Sequence, residues 1–264
     1  MITGGQQLFI NKALPILKRD KRILGVALEG SYIHREIMDE YSGLDFVLVV
    51  DPHKYPEVMH SRVEIASKLG SLLSCFTGEH IQRSDLLICL YDDPLLHVDL
   101  FFVAPDAASI RYEDPVIMYQ SGSVLSDAFA KMPAMVPTPD LQWYEDRFWI
   151  WVHYAATRIG RGELFDALRS LDFLRVNVLG PLLQMQAGNP PRGVRYIERD
   201  CPEEVGRLAE TLAVYDAASC VRALKAAANL YIALRGVNKA SLFLRDKAEV
   251  RALGYLHAIA EQIT

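Results

Sequence analysis

The chain has no apolar run long enough to cross a bilayer. Its greasiest stretches, Phe46–Val50 and Leu86–Tyr91, are strand-sized, against the roughly 20 residues that a membrane helix needs. A membrane partner and a transporter are therefore not expected. Basic charge is not in surplus either: Lys plus Arg number 28 against 33 Asp plus Glu, a net charge of -5. A surface that binds a polyanion needs Lys and Arg in excess to displace counterions from phosphates. A long nucleic acid is thus not expected as the main partner, and the same balance disfavours a transferase acting on tRNA. The four cysteines, Cys75, Cys89, Cys201 and Cys220, form no CxxC pair. Reduced thiols are expected, not a zinc or disulfide framework. Met1–Arg22 lacks the apolar core of a cleavable signal, so a cytoplasmic location is expected. No repeat and no low-complexity tract appears.

What is present is a chain of 264 residues that are 51% hydrophobic. That is enough apolar surface to build a core and to exclude global disorder. The character of the sequence changes near residue 137. Before it, short β-rich runs dominate. Ile23–Gly30 reads as a buried strand, and Leu44–Asp51 as a second one ended by Pro52. Residues 56–76 read as a helix, with Val58, Val63, Ile65, Leu69, Leu72 and Leu73 recurring near helical spacing. Ser84–Tyr91 and Leu95–Val103 flank Asp92-Asp93-Pro94. Two apolar runs this close, with turn residues between them, predict an antiparallel hairpin, and turn chemistry accounts for the two aspartates. The strands and helices do not alternate as in a doubly wound fold.

Lys131–Asp140 carries Pro133, Pro137 and Pro139 and ends in an acid suited to cap a helix. Beyond it the pattern turns helical, and the spacing predicts helices near 141–160, 163–187, 203–217, 218–235 and 240–262. Gly188-Asn189-Pro190-Pro191 should stop the second of these, and Pro181 should kink it. The predicted fold class is α+β: a small mixed β-sheet domain, residues 1–136, followed by an α-helical bundle domain, residues 137–264.

The segment richest in chemistry is Leu28–Asp51. A strand runs into Gly30-Ser31, a polar stretch follows, and a second strand opens with Asp45 near its start. Glycine allows close backbone approach, serine adds a hydroxyl and an N–H, and such a turn at a helix start suits a phosphate. Asp99 lies within another apolar strand, in His97-Val98-Asp99-Leu100. Carboxylates on apolar strands need a cation or donors to offset burial. Two of them beside a phosphate turn make a candidate magnesium site, because magnesium prefers oxygen ligands and couples carboxylates to substrate phosphates.

In this order — Gly30-Ser31, then Ser42-x-x-Asp45, then Asp99 — the segment resembles the DNA polymerase β-like nucleotidyltransferase superfamily. It is similar above all to its antibiotic-modifying members, the aminoglycoside nucleotidyltransferases of the streptomycin adenylyltransferase type. Residues 161–204 also look like the helical substrate-side domain of such enzymes. The resemblance implies that Gly30 and Ser31 hold a nucleoside triphosphate, ATP or another, and that Asp45 and Asp99 hold Mg2+. It implies transfer of a nucleoside monophosphate to a hydroxyl of a small molecule, and small cationic acceptors fit the acidic balance. It further implies a carboxylate of the helical domain as general base, for which Glu145 or Asp146 is the candidate. One departure stands out. The family's first acid of Asp-x-Asp falls at Gly43 here, so the carboxylate triad is incomplete; Asp39 and Glu40 lie just upstream. The alternative reading is a nucleotidyltransferase-fold protein that has lost catalysis and serves as a nucleotide-binding or partner-binding module. Trp149 and Trp151 are expected in the core, and His97 and His153 in structural or surface positions. His34 is the histidine nearest a nucleotide in this reading. The acceptor, the nucleotide and the oligomeric state are left open by the pattern.

Overall fold

The computed structural model describes residues 4–34, 37–236 and 241–263. Contacts divide the chain into two compact units, Met1–Val136 and Pro137–Thr264. The architecture is α+β, with every strand of the described residues in the first unit.

The first unit opens with α1 (Gly4–Arg19) and β1 (Ile23–Glu29). It continues through β2 (Leu44–Val50), α2 (Tyr55–Leu69), β3 (Ser71–Gly78), β4 (Arg83–Asp92), β5 (Leu96–Val103), β6 (Val116–Gln120) and α3 (Val124–Lys131). Its six strands pair in the order β3-β4-β5-β2-β1-β6. Only β2 and β5 run parallel; the other neighbours are antiparallel. The predicted hairpin is β4–β5.

Side chains of a strand alternate between the faces of its sheet. Leu44, Phe46, Leu48 and Val50 of β2 and Leu96, Val98, Leu100 and Phe102 of β5 pack into one core with α1 and α2. Val47 and Val49 point the other way, into a smaller cluster with Val103, Leu125 and Ala128. At the end of this second face, where β2 begins, the apolar series gives way to Asp45. A sheet face that is greasy for most of its length and acidic at one end is the feature that positions the candidate site.

The helix expected over 56–76 is shorter than its spacing predicts. It ends at Leu69, and Gly70 leads in extended backbone to β3. Leu72 and Leu73, counted as helical, are strand residues, because β3 satisfies its backbone on β4. This is tertiary pairing overriding a local pattern.

The second unit comprises α4 (Leu141–Gly160), α5 (Leu164–Leu174), α6 (Gly180–Gln186), α7 (Ile197–Asp200), α8 (Val205–Ala209), α9 (Ala217–Gly236) and α10 (Asp246–Ile263). Asp140 caps α4 as its position implies, its carboxylate accepting the Gln142 N–H at 2.9 Å. The predicted helix 163–187 is interrupted by a π-helical turn, Arg175–Leu179, immediately before Gly180 and Pro181. Proline cannot donate to the helical ladder, and a π turn is one way to absorb that defect. Gly188 stands at φ +78 just past the end of α6, the conformation that favours glycine after a helix. The helix expected over 203–217 is reduced to the five residues of α8. The start expected at 240 lies outside the described residues. All four cysteines are free, and no helix among the described residues is long and apolar enough to cross a membrane.

Candidate functional site

The chain leaves β1 through a single 3-10 turn, Gly30–Tyr32. The start of a full helix, expected there, is not formed over these residues. Gly30 takes φ +63, and a Cβ at this position would sit 2.2 Å from Oδ2 of Asp45. Glycine is thus required twice, for its backbone angle and for the space that the Asp45 carboxylate occupies. Ser31 is buried, and its hydroxyl makes one long contact, 3.4 Å to the Gly43 carbonyl. The turn and the first strand acid therefore meet directly.

The register brings the second acid alongside. Asp45 of β2 is the Cα partner of Asp99 of β5 in the parallel pair. It is also the partner of Glu29 in the antiparallel pair β1–β2. Directly paired residues present their side chains on the same face, so Glu29, Asp45 and Asp99 form a row across three strands. Glu29 escapes the sequence reading. The available signal was an acid ending an apolar strand just before Gly-Ser, a position otherwise suited to an apolar residue. Burial, then the charge of Asp45, push its carboxyl up to about 7. Asp99 carries a partner, with Nε2 of His97 at 2.8 Å from its Oδ1.

Among the described residues no group of three or more His, Cys, Asp or Glu converges on a point where it would hold a metal. A protein cage for two ions does not fit this donor set. One magnesium taking Asp45 and Asp99, with the rest of its shell from phosphate and water, does fit it, because magnesium ordinarily keeps several waters and uses only one or two carboxylates. The upstream acids do not join the row. Asp39 closes on its own loop, accepting from the Tyr41 N–H at 3.0 Å and the Ser42 hydroxyl at 2.9 Å, and Glu40 is exposed. Gly43 lies against β5: a Cβ there would meet the His97 carbonyl at 3.0 Å. An aspartate at this position needs the start of β5 to give way.

Glu145 corrects an expectation. It is fully buried. Oε1 accepts from Arg235 at 2.8 Å, the Arg245 N–H at 2.9 Å and Trp149 at 3.3 Å, while Oε2 accepts from the Tyr231 hydroxyl at 2.8 Å. Burial alone would raise its pKa, but the Arg245 N–H, the Tyr231 hydroxyl and the Arg235 guanidinium more than offset it and hold the carboxyl below its usual range. A carboxylate with both oxygens engaged and no exposure is not placed to take a proton from an acceptor. It pins α4 to α9 and to the start of α10. Asp146 pairs with Arg245 at 2.7 Å. Trp149 is core, as expected, whereas Trp151 is only half-buried beside Trp143 and Phe173. His34 pairs with Glu113 at 2.9 Å, and His153 lies against the Tyr255 ring.

Among solved structures, an aminoglycoside 6-adenyltransferase from Bacillus subtilis is similar to this chain at 16% sequence identity, covering 100% of this chain and 98% of that one, with a TM-score of 0.36. No family model and no curated protein matches the chain.

Proposed function

We propose that the protein transfers a nucleoside monophosphate from a nucleoside triphosphate to a hydroxyl of a small molecule. The observation that carries this reading is the meeting of the Gly30–Ser31 turn with Asp45, and of Asp45 with Asp99 in the next strand. Gly30 and Ser31 offer backbone N–H groups and a hydroxyl to the triphosphate, and Asp45 and Asp99 would hold magnesium. When bound, the metal would neutralise the triphosphate and polarise the α-phosphoryl group. The rigid strands fix both carboxylates relative to the turn, so the α-phosphorus is presented in one orientation. The acceptor oxygen bonds to that phosphorus as the bond to the β-phosphate breaks. The hydroxyl proton passes to solvent water as pyrophosphate leaves in line.

Gly43 favours a second reading. The first acid of the resembled family's Asp-x-Asp is absent, and the chain is packed tightly where it would stand. In this reading the same turn and acids bind Mg2+ and nucleotide without turnover. Pyrophosphate release from Mg·ATP with amine-bearing acceptors separates the two. Release that falls to background in Asp45→Ala supports transfer. Magnesium-dependent binding of a nonhydrolysable ATP analogue without release supports the binding module. No magnesium-dependent binding at all removes both.

A further inference from the structure

We propose that a cavity in the sheet unit is a binding pocket for a small amphipathic amine, a single ammonium group on an apolar or aromatic body. The cavity has a volume of about 430 Å³, in the range that small organic ligands occupy. Its floor is the apolar part of the sheet's second face, Val47, Phe101 and Val103. Ala108, Ile110 and Phe129 close it from the segment that follows β5 and from α3. Glu29, at the end of β1, lines the same space.

The charges of the lining decide what it can take. Arg83 is engaged by Asp85, with Nε and Nη2 each 2.9 Å from a carboxylate oxygen, and its guanidinium lies over the Phe101 ring. Arg111 gives Nε to Asp114 at 2.7 Å and its remaining N–H groups to the carbonyls of Ser109, Phe129 and Met132. Both guanidiniums are therefore neutralised or saturated by their own neighbours. The Glu29 carboxylate forms no hydrogen bond among the described residues; Asp45, Glu113 and Asp99 add negative potential to it, and the Arg83 guanidinium offsets part of that. At Glu29 an ammonium group gains a charge-assisted hydrogen bond that an anionic ligand cannot make.

The apolar floor narrows the class further. A polyhydroxylated polyamine would leave many polar groups facing Val47, Phe101 and Val103 without partners, which is costly. An amine with an apolar body leaves none. This inference deepens the proposed acceptor chemistry, and rests on that reading only in treating the amine as the acceptor.

Calorimetric titration of the full chain tests it with three probes of one shape: phenethylamine, 2-phenylethanol and phenylacetate. The amine is expected to bind at least about tenfold more tightly than the alcohol, and the carboxylate not at all. Glu29→Gln should weaken the amine by at least about tenfold and erase its advantage over the alcohol. Ala107→Trp, at an exposed lining position, should block the amine while leaving magnesium-dependent binding of a nonhydrolysable ATP analogue intact. The pocket is overturned if the amine and the alcohol bind alike, or if neither variant moves the amine. It is equally overturned if Ala107→Trp removes the nucleotide analogue and spares the amine, for then the cavity holds the nucleoside. Amine binding that persists in a protein showing no pyrophosphate release keeps the pocket and removes only its link to transfer.

Discussion

Glu145 in the helical unit and Glu29 in the sheet unit are both carboxylates drawn out of bulk water, with opposite consequences. Glu145 has four donors and a carboxyl held below its usual range. Glu29 has neighbouring acids in place of donors, and its carboxyl rises to about 7. Burial disfavours the charged form in both, so the difference lies in what the fold brings up to meet them. A carboxylate surrounded by donors is part of the scaffold. A carboxylate kept among like charges over a cavity carries a cost to folding, and such groups cluster at functional sites.

The largest expected effect follows from removing the paired acid. Glu145→Ala leaves Arg235, only 8% exposed, with Glu249 as its remaining carboxylate, and strips Tyr231 and Trp149 of their acceptor. Breaking a buried ion pair in this way costs about 3–5 kcal/mol. Urea unfolding of the variant against the wild type measures it, and a loss below about 1 kcal/mol would show Glu145 to be no more embedded than a surface acid. The pH dependence has a definite sign. Because the folded carboxyl lies below the unfolded value, the contribution is present above the unfolded pKa and is lost as pH falls through the folded one.

Glu29 is expected to behave inversely. Its folded carboxyl is raised from 4.5 to about 7. Stability is full below the unfolded value and declines as pH rises through that window, because the unfolded chain ionises first. Glu29→Gln should therefore match the wild type near pH 4 and exceed it near pH 8 by on the order of 2–3 kcal/mol. Thermal unfolding in chelator at the two pH values reads this directly. A variant less stable than wild type at pH 8 would mean that Glu29 has a donor after all, and the contrast with Glu145 would fail.

These two glutamates also mark how far the sequence could be read. Local patterns carry local outcomes: the β4–β5 hairpin, the start of α4 at Asp140 and the stop at Gly188 follow from spacing and cap chemistry. They do not carry pairing. That Asp45 faces Asp99 depends on the parallel β2–β5 contact, and the alternation within each strand says only that each acid shares a face with its own i+2 neighbours. Leu72 and Leu73 fit helical spacing, and only the β4 partner makes their segment a strand. The candidacy of Glu145 as a base fails for the same reason in reverse. Its partners Tyr231, Arg235 and Arg245 lie 86–100 residues further along the chain, and nothing in the first turn of α4 announces them. Glu29 ends β1 directly before the Gly30–Ser31 turn, and only its pairing with Asp45 marks it as part of the acid row.

Asp99 provides the smallest and sharpest form of the comparison. Asp99 has a charge partner within its own strand, His97, whose Nε2 is 2.8 Å from Oδ1. The pair has the geometry of the Arg235–Glu145 contact, also 2.8 Å, but not its surroundings: the His97 side chain is 59% exposed. Water competes for both groups there, and an exposed pair of this kind contributes about 0–1 kcal/mol. His97→Ala should accordingly shift unfolding by less than about 1 kcal/mol. A loss approaching that of Glu145→Ala would place Asp99 with the scaffold acids, because it would mean that His97 holds β5 in register as Arg235 holds α9. A small shift leaves Asp99 free to exchange its histidine for a cation, as the acid row requires if it is to meet a metal-bound triphosphate.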